Sequence, residues 1–124
     1  MTPSRISSVL AALAAVLAVL AGATSAVALP SLDESALMVE TWRAVGLLTF
    51  AGIFTYLAFR PTTSPALWLI VIANKLVLAL AGLVLGAGVP GALEVAAWDG
   101  ALVIILAAGF AASLVGRRSR RGEG

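Results

Sequence analysis

The sequence predicts an all-α fold, an integral membrane four-helix up-down bundle. Composition is the first reason: 61% of the 124 residues are hydrophobic and 11% are charged, against about 45–50% and about 25% in soluble domains. The second is the presence of four apolar segments, each long enough to cross a hydrocarbon core of about 30 Å. The third is that most charges collect in the links and at the ends. This leaves no stretch for a separate soluble domain, so one membrane domain is expected.

The first segment is 6–29. It carries no charge and can span as a helix. It also has the parts of a signal peptide: Arg5, an apolar run over 9–23, and Ala26-Val27-Ala28 as a cleavage site. Both readings stay open: Pro30 suits the end of a retained helix, and either way residue 30 emerges on the same side of the membrane. A polar link over 30–35 follows, with Asp33 placed to cap the next helix. The second segment is 36–59; its first third holds Glu40, Trp42 and Arg43, and Arg60-Pro61 closes it. Residues 60–64 form a tight link in which Ser64-Pro65 suits an N-cap and first turn. The third segment, 65–88, holds Lys75, the single lysine of the chain. Gly86, Gly88, Pro90 and Gly91 break it. The fourth, 92–115, carries Glu94, Trp98 and Asp99 in its first turns. A basic tail over 116–124 is expected to lie in the cytoplasm without regular structure.

Links this short predict that consecutive helices lie antiparallel and adjacent. Arg5, Arg60 and the cluster Arg117, Arg118, Arg120 and Arg121 then fall at one end, and Asp33 and Glu34 at the other. The positive-inside rule puts both termini in the cytoplasm of a cell membrane. Trp42 and Trp98 are expected at the outer interface and Trp68 at the inner one.

Composition also excludes functions. Cysteine and histidine are absent, which removes disulfides, thiol redox chemistry, histidine-ligated haem and the commonest general base. No phosphate-binding loop, dinucleotide fingerprint, metalloprotease helix or nucleophile elbow occurs. No metal site, cofactor or enzymatic activity is expected. The basic residues flank apolar segments rather than forming a soluble patch, so nucleic acid is not an expected partner. The expected partners are the lipid bilayer and a second copy or a membrane subunit.

The polar residues inside the segments are the candidate site. Lys75 stands about 15 Å into its helix, near the midplane of the bilayer. A cation there costs at least about 2.5 kcal/mol on insertion scales, so it should face protein or water. Arg43 and Asp99 both lie about 10 Å from the opposite face, and Glu40 about 6 Å. Asn74 adds an amide beside Lys75. Lys75, Ala79, Gly82 and Gly86 share one helical stripe. Asp99, Leu102, Leu106, Gly109 and Ser113 share another, and Ala11, Ala15, Ala18 and Gly22 a third. Small residues on such stripes let helices approach closely in lipid. The expected cluster is Lys75, Asp99, Arg43, Glu40 and Asn74, with Arg43 and Lys75 competing for Asp99, and Glu94 solvated. Two acids and two bases make it neutral. That points first to a network fixing helix order, and second to a ligand, ion or proton site.

The runs Glu40–Leu47, Asn74–Val77 and Trp98–Val103 resemble small uncharacterised bacterial membrane proteins with four helices. In size and helix plan the chain is loosely similar to the DoxX-like group, and its Ala, Gly, Val and Arg usage is of the actinobacterial type. The resemblance implies an accessory subunit, in some members associated with quinone-linked oxidation. The leading expectation is therefore a non-enzymatic accessory or scaffold subunit with a buried ionic cluster. Its alternatives are a small carrier or channel component using Lys75 and Asp99, and a subunit of a quinone-linked membrane oxidoreductase.

Overall fold

A computed structural model describes residues 1–122. Helix α1 spans Pro3–Ala28, α2 Glu34–Phe59, α3 Pro65–Leu85 and α4 Ala92–Gly122. Each boundary has a local cause. The Thr2 hydroxyl accepts from the Arg5 amide at the start of α1, and the Ser64 hydroxyl from Leu67 at the start of α3. Pro3 and Pro65 sit in the first turns, where a missing N–H costs nothing. Asp33 holds the N-cap position of α2 in extended backbone. Helix α3 ends at Gly86 (φ +62°), and Gly91 (φ +80°) precedes α4; both conformations favour glycine. Single 3₁₀ turns, Leu29–Ser31 and Gly86–Gly88, bridge the two links at this end.

All four helices are long and apolar enough to cross a membrane. Helix α4 differs from expectation at its end. It continues through Arg117–Arg121 to Gly122, since arginine and serine sustain a helix and only Gly116 interrupts the run. The last two residues of the expected tail lie outside the described residues.

The packing is inverted relative to a soluble bundle. The buried face of α1 is Ser7, Ala11, Ala14, Ala15, Ala18 and Gly22, while Val9, Val16 and Leu20 point outward. The stripes expected on α3 and α4 face inward as well, Lys75, Ala79 and Gly82 on α3 and Asp99, Leu102, Leu106, Gly109 and Ser113 on α4, except that Gly86 lies past the end of α3 and is only half-buried. Gly82 brings α3 against α4. A Cβ there would overlap the Ala92 carbonyl oxygen and lie 2.9 Å from the Ala96 amide nitrogen. Thr24, Thr41, Thr49 and Thr55 each donate their hydroxyl to the carbonyl four residues back. These polar groups are thus satisfied within their own helices.

Helix α1 packs against α2 and α4, and α4 against α3. The expected adjacency of α2 and α3 holds only toward their shared link. There Phe54, Leu57 and Trp68 are fully buried in one core with Leu106 and Ala11. Trp68 is therefore not an interface residue. Its indole N–H donates to the Pro61 carbonyl at 3.0 Å, and its ring lies against the backbone at Gly109 and beside Phe110. Beyond this aromatic wedge the α2 and α3 backbones are not packed together, and a gap lined from α2 by Gly46 and Phe50 among others lies between them.

Candidate binding cleft

The gap is a cleft of about 540 Å³ reached by all four helices. Leu17, Ala21, Thr24 and Ser25 form its α1 wall. From α2 come Val39, Trp42, Arg43, Gly46, Leu47 and Phe50, a helical i, i+3, i+4 stripe. Asn74, Lys75 and Leu78 contribute from α3; Glu94, Val95, Trp98, Asp99 and Leu102 from α4. Its volume lies within the range of roughly 300–1,000 Å³ common for small-ligand sites.

Lys75 and Asp99 lie toward the floor. Their Nζ and Oδ1 are 2.9 Å apart, and the residues are only 2% and 7% exposed. The same ammonium lies 4.3 Å from the centroid of the Phe50 ring, a favourable cation–π contact. Lys75 thus joins α3 to α4 through charge and reaches α2 through an aromatic face. A carboxylate and a ring quadrupole replace part of the water that the ammonium loses on burial.

The expected cluster divides in two. Arg43 does not pair with Asp99. Its guanidinium lies 3.6 Å from Glu40 and 3.8 Å from Glu94. Glu94 is well exposed, as expected, but it is also the carboxylate through which Arg43 links α2 to α4. Arg43 sits two turns from Phe50 on the same face, so it meets the outer end of the cleft rather than its floor. Asn74 lies on the cleft wall and is exposed. Glu40 lies at the rim as the i−3 partner of Arg43. Sequence reasoning missed Gly46, Phe50 and Trp98 as wall residues. Positions 43, 46 and 50 carried the signal for α2, since one helical face contains them all.

The electrostatics follow a gradient. At the rim, partly exposed groups interact at long distances, and such pairs contribute about 0–1 kcal/mol. At the floor, one tight pair stands among Leu17, Phe50 and Leu102. A lysine ammonium has three donors and a carboxylate about four acceptor sites. The single contact between them leaves hydrogen-bonding capacity on both groups for a third molecule. No family model, curated protein or solved structure matches the chain.

Proposed function

We propose that the chain is a small multi-pass membrane protein, non-enzymatic, with both termini cytoplasmic, that binds a small molecule in its cleft as a carrier component. The membrane placement is supported by the alanine- and glycine-rich interior beneath an outer surface of Val, Leu and Ile. The orientation is supported by Arg5, Arg60 and the α4 terminal arginines at one end. The observation that carries the binding role is the cleft itself, an open space with a buried cation–carboxylate pair at its floor. A network serving stability alone needs the pair and has no need of the space.

Gly46 provides the test. It lines the cleft, and a Cβ added there meets nothing within 4 Å. Gly46→Leu adds a side chain to the cleft wall, leaves both members of the ion pair unsubstituted and raises helix propensity. The protein would be extracted from host membranes in polymer-bounded lipid discs and its small-molecule content compared by mass spectrometry. A compound present with the parent chain and missing with Gly46→Leu is expected. Identical contents would overturn the binding role.

A second reading, an accessory or scaffold subunit, is favoured by the way Lys75 ties α3 to α4. It predicts the opposite pattern: Gly46→Leu keeps its partner subunit, while single changes at Lys75 or Asp99 lose it.

A further inference from the structure

The cleft has one end held by charge and one side left open. At the outer end Arg43 of α2 reaches Glu94 of α4, with Trp42 and Trp98 beside them. Toward the α2–α3 link the space is blocked by Phe54, Leu57 and Trp68. The side between α2 and α3 has no helix packed across it. In a bilayer that side faces the hydrocarbon. The charged side chains that line the cleft balance, Lys75 with Asp99 and Arg43 with Glu94, while Glu40 lies outside the lining as a second carboxylate beside Arg43. An ion entering alone would leave one charge of a pair uncompensated at low dielectric, which is strongly unfavourable. A neutral head that both donates and accepts disturbs neither charge. It takes a hydrogen bond from Lys75 and gives one to Asp99.

Building on the binding role proposed above, we infer that the ligand is an uncharged single-chain amphiphile, with a hydroxyl or primary-amide head, that enters sideways from the bilayer. Its head meets Lys75 and Asp99, and its chain lies along Leu47, Phe50 and Leu78 toward the α2–α3 opening. Entry from the lipid phase removes the need to open the Arg43–Glu94 end.

The test uses three probes of one chain length: 11-bromoundecanol, 11-bromoundecanoate and 11-bromoundecyltrimethylammonium. Each is titrated into the full chain in lipid discs, and tryptophan fluorescence is read. Bromine quenches a nearby indole, and Trp42 and Trp98 line the cleft. The alcohol is expected to quench saturably, with the saturable part abolished by Gly46→Leu and reduced by Gly46→Ala. The double variant Lys75→Met/Asp99→Asn should weaken the apparent affinity at least tenfold. The charged probes should give only the linear quenching of bulk partition. Saturable, Gly46-sensitive quenching by a charged probe and not by the alcohol would overturn the ligand class while leaving the cleft as a binding site. Linear quenching by all three, unchanged by either Gly46 variant, would overturn both.

Discussion

Separating Lys75 from Asp99 tests the energetics of the floor most directly. Lys75→Met leaves a 7%-exposed carboxylate without its cation; Asp99→Asn leaves a 2%-exposed ammonium with an amide and the Phe50 ring. Breaking a buried pair by removing one partner costs about 3–5 kcal/mol. The lysine side retains a cation–π contact of about 0.5–2 kcal/mol, so Asp99→Asn should fall at the lower end. Replacing both partners removes the orphaned charge, and the double variant should lie within about 2 kcal/mol of the parent. The coupling energy is then roughly 4 kcal/mol or more, above the range of about 0.5–3 kcal/mol usual for residues in contact. Unfolding in mixed micelles at increasing SDS fraction, followed by tryptophan fluorescence, measures all four proteins on one scale. Losses that add, with the double variant worse than either single change, would refute a compensated pair at this site.

Three further outcomes are expected. Gly82→Ala should destabilise the bundle by about 1–3 kcal/mol through overlap with the α4 backbone. At Gly52, where a Cβ meets nothing within 4 Å, the same change should be neutral or stabilise by up to about 1 kcal/mol; the same unfolding assay compares them. The chain has no cysteine, so Ser31→Cys and Ser119→Cys can be labelled singly in sealed cells with an impermeant maleimide. Labelling of residue 31 alone is expected, and labelling of 119 alone would reverse the proposed orientation. Because Ala11, Ala14 and Ala18 are buried against α2 and α4, α1 should remain in the mature chain; an N-terminal mass corresponding to Leu29 would refute that.

The inward stripes of α1, α3 and α4 were legible because small residues at i, i+3 and i+4 mark the face where backbones approach. Lys75 and Asp99 stood on two of those stripes, so their meeting followed from periodicity and depth. The partner of Arg43 did not follow. Depth alone matched it to Asp99, whereas the choice is made by the rotation of α2 about its axis, and that helix has no clear stripe of small residues to reveal it. From its place in the first turn of α3, Trp68 is expected at the membrane interface. Yet it precedes Val71, Lys75 and Ala79 on the buried stripe, and that pattern is the stronger indicator. The cleft was the least legible feature. A short link fixes where two helices meet, but not how far they diverge. That divergence is set by the packing of Phe54, Leu57 and Trp68 at one end, and the missing side chain of Gly46 enlarges the space it leaves.

The burial of Lys75 has a practical consequence. It is the sole lysine of the chain, so it is the one side-chain amine an amine reagent can meet. The ammonium is shielded by Asp99 and Phe50. A membrane-permeant acylating reagent that enters between α2 and α3 can leave a permanent mark at residue 75 only when the amine has parted from Asp99. The extent of that mark records how often the pair opens, in intact cells.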